Sequence, residues 1–236
     1  MARLTRHQLK QDELSQRLAS GRDFVLGHKK NISLIASVSV GALAVGLGIL
    51  FFIRGAQANA GAAFANALNT YHAPVLTSPP NIPNLESYKT NDEKNQAALE
   101  KFNAVAKDYS RYAAGRLARY YAAVCLRELG KFPEAEKDFQ AVAEQGSAQV
   151  AALAKIGLAS VYEQTNRTSE AEKLYKELEA NPTETVPKAT ALVARADLYS
   201  KTNPSEATKL YQQIQQDYRG TPAAEYAGQK LTELSR

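Results

Sequence analysis

An alanine followed four residues later by an aromatic ring recurs along the chain at an almost constant interval. The pairs are Ala98–Phe102, Ala135–Phe139, Ala171–Tyr175 and Ala207–Tyr211, so the alanines lie 37, 36 and 36 residues apart. A period of this length marks a solenoid of helix-turn-helix units, each too small to bury its own apolar face. Four residues is about one helical turn, which puts the small and the large residue on one face. The small residue lets the second helix of a unit approach the first, and the ring fills the gap to the next unit. Ala123, Ala159 and Ala196 occupy the matching close-approach position on the first helices, followed three residues on by Leu126, Tyr162 and Tyr199. Turn residues fall between them at Gly130-Lys131-Phe132-Pro133, Thr165-Asn166-Arg167 and Thr202-Asn203-Pro204. The flanks repeat too: AALEKFNAVAKDY and EATKLYQQIQQDY place Asp108-Tyr109 and Asp217-Tyr218 alike. No strand-like alternation appears in this region, and the expected fold is all-α.

A second feature stands upstream. Ile32 to Ile53 reads ISLIASVSVGALAVGLGILFFI, 22 residues without a charge. At about 1.5 Å per residue such a helix spans roughly 33 Å, enough for the hydrocarbon of a bilayer. Lysine and arginine are denser before the run than after it, where only Arg54 follows closely, so the N-terminus is expected in the cytoplasm. The rival reading is a cleaved signal peptide, with small-residue patterns at Ala56-Gln57-Ala58 and Ala58-Asn59-Ala60. The apolar run is longer than a signal peptide's, and the leading region carries three acids, which favours an uncleaved anchor. A lipoprotein needs a cysteine at the end of the run, and the only one is Cys125. Small residues at four-residue spacing (Ser33, Ser37 and Gly41; Ala42 and Gly46) suit lateral helix packing, but glycine and alanine are common in spanning helices anyway.

Charge follows the same division. Residues 1–30 hold seven Lys/Arg against three acids, whereas the rest of the chain holds 22 against 21. The overall +5 therefore belongs mainly to the tail, and no nucleic-acid binding is expected of the main domain. Leu4, Leu9, Leu14 and Leu18 leave open either an amphipathic helix on the membrane or a solvated charged tail. Residues 57–73 are Ala-rich, with Phe64, Leu68 and Tyr71 at helical spacing, and read as one helix leaving the membrane. Pro74, Pro79, Pro80 and Pro83 then break it into a linker or long loop.

The repeats resemble the tetratricopeptide repeat (TPR) family, whose pattern runs Leu-Gly/Ala, Tyr, Ala, Phe/Tyr, Ala, Pro. Leu158, Ala159, Tyr162, Ala171 and Tyr175 match it in the second unit, Ala123, Ala135 and Phe139 in the first, and Ala196, Tyr199, Ala207 and Tyr211 in the third. Leu126 replaces the Tyr of the first unit, the family's Trp is missing throughout, and each unit exceeds the family's usual length by two or three residues. The resemblance covers residues 94–236 and implies a TPR-like helix-turn-helix solenoid, here tethered by one N-terminal transmembrane helix. The whole layout, with AAFANALNTYHA after the anchor, is similar to the YfgM-type ancillary subunits of the bacterial SecYEG translocon. The DY-x-x-x-AA element (Asp108, Tyr109, Ala113, Ala114) also resembles envelope-assembly proteins of the BamD and CpoB type. The expected divisions are a basic cytoplasmic tail over 1–30, a transmembrane helix over 31–54, an Ala-rich helix with a Pro-rich linker over 55–93, and the repeat domain over 94–236.

No catalytic constellation is legible. His7, His28 and His72 are scattered, and G-x-S-x-G, H-E-x-x-H and phosphate-cradling glycine loops are missing from the sequence. Cys125, between Val124 and Leu126, reads as a core thiol. Asp108 and Asp217 occupy equivalent repeat positions and read as helix-end residues. The expectation is a non-enzyme without cofactor or metal. A repeat array instead offers a concave groove lined by its first helices. The register places there Tyr120, Val124 and Arg127, then Ile156, Ser160 and Glu163, then Val193 and Asp197. This mixture suits polypeptide segments, although Tyr120, Ile156 and Val193 could equally be packing between neighbouring helices. The resemblance implies a single-pass protein of the bacterial inner membrane with a periplasmic domain. Its implied partners are proteins bound through the groove, among them the SecYEG translocon and periplasmic chaperones, or clients in envelope assembly or cell division.

Overall fold

A computed structural model describes residues 29–76 and 86–235. The expectations for the basic tail and for Pro79, Pro80 and Pro83 lie outside the described residues. The chain falls into two compact units, Met1–Ala56 and Gln57–Arg236.

The longest helix, α1, runs Lys29–Tyr71 and stops three residues before Pro74. It is long and apolar enough to cross a membrane. Its large side chains from Leu43 to Ile53 find no protein to cover them, and Phe51 and Phe52 are 82% and 74% exposed. Unlike a soluble surface helix it has no polar side in this stretch, which suits a hydrocarbon environment. Past Arg54 the environment changes, and Ala60, Ala67 and Thr70 are fully buried.

Among the described residues eight further helices follow: α2 Asn91–Asp108, α3 Ala113–Glu128, α4 Phe132–Gln145, α5 Ala148–Gln164, α6 Thr168–Ala180, α7 Lys188–Thr202, α8 Pro204–Asp217 and α9 Pro222–Leu234. From α2 onward each packs on its neighbours in sequence, and α3 also meets α5 as α7 meets α9. This is the contact pattern of a solenoid of hairpins. Among the described residues the only β feature is an isolated bridge, Val75 to Tyr88, which closes the base of the Pro-rich loop.

The local reasons are readable in the caps. Thr90 accepts a hydrogen bond from the Glu93 backbone N–H (3.1 Å), and the Glu93 carboxylate accepts one from the Lys89 backbone N–H (3.0 Å), starting α2. The α3–α4 and α5–α6 turns are built alike. Gly130 (φ 71°) and Asn166 (φ 59°) take the left-handed conformation, and the next residue's N–H reaches back to Leu126 and to Tyr162 (2.9 and 2.7 Å). The α7–α8 connection is a single residue, against three in the other two. Asn203 alone ends α7 and begins α8, its side chain accepting from the Glu206 N–H.

The anchors of the repeat do what their sizes require. Ala98, Ala135, Ala171 and Ala207 are fully buried, as are Ala123, Ala159 and Ala196 opposite them. Phe102, Phe139, Tyr175 and Tyr211 are buried one turn on. Gly157 of α5 is a further contact point: a methyl there would lie 2.4 Å from the Phe139 ring. The core forms two clusters that share α7, with Ala191 and Leu198 in one and Leu192 and Ala196 in the other. Replacing Ala171 by Leu is expected to force α6 away from its partners and to cost about 1–3 kcal/mol. An unchanged thermal midpoint would contradict the close approach of α6 at this alanine.

One charged pair is packed into the α6–α7 contact. Glu179 and Arg195 have side chains only 12% and 15% exposed, with Oε1 and Nε 2.8 Å apart. The N–H is not directed along the contact, so neither atom has a well-formed hydrogen bond. Burial pushes the Glu179 carboxyl up from its usual range, against the pull of Arg195, Lys188 and Lys176. The raised value means that the protonated acid is favoured in the fold. That contribution is complete below the unfolded carboxyl range and fades as pH rises through the folded value. Glu179→Ala alone removes the ion-pair partner of Arg195, leaving only the more distant Glu172 to offset its charge, and is expected to cost about 3 kcal/mol at neutral pH. Replacing both by leucine is expected to be near neutral. A double-mutant cycle by chemical denaturation measures the difference.

Candidate partner-binding face

All eight residues expected to line the groove lie on first helices of hairpins: Tyr120, Val124 and Arg127 on α3, Ile156, Ser160 and Glu163 on α5, Val193 and Asp197 on α7. Their surroundings differ. Val124 is 7% exposed and belongs to the core. Tyr120 and Ile156 are half-buried against the first core cluster, and Val193 against the second. The Tyr120 ring meets Phe139 edge-on at 5.8 Å, and burial raises its phenol pKa. Ser160 is half-buried and accepts a hydrogen bond from Gln164 (3.2 Å).

The charged members converge on buried phenols. The Tyr175 hydroxyl donates to Glu163 (2.6 Å). Burial and that bond push the Tyr175 phenol far up, with Asp197 adding to the effect and Arg127 opposing it. Charges from three different helices thus act on one hydroxyl, of which Glu163 alone is bonded to it. Asp197 also accepts from the hydroxyls of Tyr211 and of Tyr226 (3.0 Å). Glu163 has Lys201 at 3.7 Å, and Arg127 pairs with its neighbour Glu128 at 2.6 Å. A cation stacked on a ring ties successive units together: Arg167 lies 4.1 Å from the Tyr162 ring centre and pairs with Glu136 (2.7 Å) and Glu170 (3.1 Å).

Sequence reading missed one hairpin. The last turns of α1 act as the first helix of a unit whose second helix is α2. Phe64 meets Phe102 (5.9 Å) and Tyr121 (5.7 Å), and Tyr71 meets the same two rings at 6.3 and 5.7 Å. A clasp closes this unit from the loop. Glu86 receives the hydroxyls of Thr70 (2.9 Å) and Tyr88 (2.6 Å) and the ammonium of Lys101 (3.0 Å). These bonds, led by that of Tyr88, hold the Glu86 carboxyl below the usual range. Phe64, Leu68 and Tyr71 are spaced by four and three residues, as Tyr120, Val124 and Arg127 are on α3.

Two open cavities lie elsewhere: about 350 Å³ between α5 and α6, over Ala151, Leu178 and Pro182, and about 670 Å³ beside Tyr71, Lys94, Asn95 and Glu128. Neither is lined by any of the eight residues. Cys125 is fully buried, and burial drives its thiol pKa up to about 12, far from a thiolate at neutral pH.

Two overlapping stretches, residues 91–150 and 126–185, match the tetratricopeptide repeat family model. The chain therefore carries tetratricopeptide repeats, in an all-helical array among the described residues. Repeats of this kind bind proteins. No curated protein and no solved structure matches the chain.

Proposed function

We propose that the protein is a single-pass membrane protein whose tetratricopeptide array binds polypeptides outside the cytoplasm, acting by binding rather than by catalysis. One observation supports this reading: Tyr120, Ile156, Ser160, Glu163, Val193 and Asp197 lie half-buried on three successive first helices, a mixture of apolar and charged side chains of the kind that extended or helical segments use. The exposed apolar run from Leu43 to Ile53 supports the anchor, and the excess of Lys/Arg before it supports a cytoplasmic N-terminus. In a bacterium this places the array in the periplasm. The similarity of layout to YfgM-type subunits favours an ancillary role beside the SecYEG translocon and its periplasmic chaperones. A photo-crosslinking residue at position 160, compared with one at the exposed Glu144 on α4, tests this in native membranes. Translocon subunits or exported chains captured from 160 and not from 144 are the expected result. Capture of envelope-assembly or division proteins instead would transfer the role to a scaffold, and identical patterns from both positions would sink the groove.

A further inference from the structure

Asp197 differs from every other half-buried acid in the array. From Glu136 to Glu206, each of the others has a Lys or Arg nitrogen within 3.7 Å. Asp197 has none among the described residues. Its side chain is held only by neutral donors: the Tyr211 hydroxyl on Oδ1, and the Tyr226 hydroxyl at 3.0 Å from Oδ1 and 3.1 Å from Oδ2. Cations close enough to serve are committed elsewhere. Lys201, one turn along α7, lies against Glu163, and Lys230, over the Tyr226 ring, is bonded to Glu233 at 2.7 Å. Two phenols fix the carboxylate in place and satisfy part of its hydrogen-bonding capacity, but as neutral donors they bring no opposite charge to it. A half-buried charge of this kind is poorly hydrated and gains strongly from an opposite charge brought to it.

We propose that Asp197 is a cation-recognition point in the groove, and that the array selects polypeptide segments presenting a lysine or arginine side chain beside apolar residues. This rests on the groove being the binding surface. Tyr211 and Tyr226 act as positioning residues, and Val193, one turn before Asp197, supplies the apolar neighbour. The geometry requires no new contact within the protein, since the carboxylate already sits fixed between α7, α8 and α9.

The test is selection from a random 12-residue peptide display library on the full chain in detergent. The wild type is expected to enrich Lys and Arg about threefold over the library, together with apolar residues. Asp197→Asn should lose the basic enrichment and keep the apolar one, while Glu144→Gln, which removes an exposed charge of α4 outside the site, should retain both. A selected arginine peptide should bind the wild type about tenfold more tightly than its citrulline counterpart, a comparison that needs no variant. Apolar enrichment without basic enrichment, or equal affinity for arginine and citrulline, overturns the cation site and leaves the groove standing. No selection of any peptide overturns the groove and the cation site with it.

Discussion

Phe139→Ala is expected to remove about 3–5 kcal/mol of stability. The ring is fully buried, and it meets the helices on either side of its own. It extends from α4, meets Tyr120 of α3 edge-on, and lies so close to Gly157 of α5 that no side chain fits there. Removing it empties a space that glycine cannot refill, because position 157 has no atoms to move inward. The loss falls on the seam between two hairpins, and solenoids are held together by just such neighbour terms. Denaturant unfolding should therefore shift to a lower midpoint and lose its single transition, with the α3–α4 side and the α5–α6 side separating. A loss below about 1 kcal/mol would mean that the ring does not bridge the units.

Gly115→Ala is expected to cost about 3 kcal/mol, an unusual amount for one methyl group. A Cβ at position 115 would lie 2.0 Å from the Tyr109 carbonyl oxygen and 2.5 Å from its carbon. These are backbone atoms, so the α2–α3 turn itself has to open. The Tyr109 oxygen is also committed to the Tyr112 N–H at 2.9 Å. The α8–α9 turn explains why glycine is needed at 115. There the same bond joins Tyr218 and Thr221 at 3.1 Å, and Ala224 stands where Gly115 does. That turn has its glycine at 220, with φ 74°, where the α2–α3 turn has Arg111. The two turns reach one hydrogen-bonded shape with the glycine at different places. Adding Arg111→Gly to Gly115→Ala should thus recover part of the loss, as read by thermal midpoint. No recovery would show that the turns are not equivalent.

The Asp-Tyr element that recurs at both turns was visible in the sequence, but the exchange of glycines within it was not. Spacing reports which residues share a face, and says nothing of the backbone angle that lets them meet. The alanine–aromatic pairs were legible because a small and a large residue one turn apart, repeated every 36 or 37 residues, suit stacked hairpins and little else. The hairpin of α1 and α2 was hidden by the insertion Pro74–Pro83, which broke the period although Phe64 and Tyr71 kept the rings that dock it. The candidate groove was legible only to the helix. Val124 falls on the expected stripe, but a small rotation about α3 puts it in the core. The hydroxyl of Tyr226 on Asp197 comes from α9, beyond the last repeat pair and 29 residues along the chain. No local pattern announces it.

Replacing Glu144, an exposed residue of α4, by cysteine gives the most direct measurement of where the array sits, because the native Cys125 is buried and silent. Cells stripped of their outer envelope but with the inner membrane intact are treated with a membrane-impermeant maleimide, and labelling is compared before and after lysis. An array held outside the cytoplasm by one spanning helix is labelled fully before lysis, on protein that stays with the membrane. Labelling that appears only after lysis, or labelled protein free of the membrane, contradicts it.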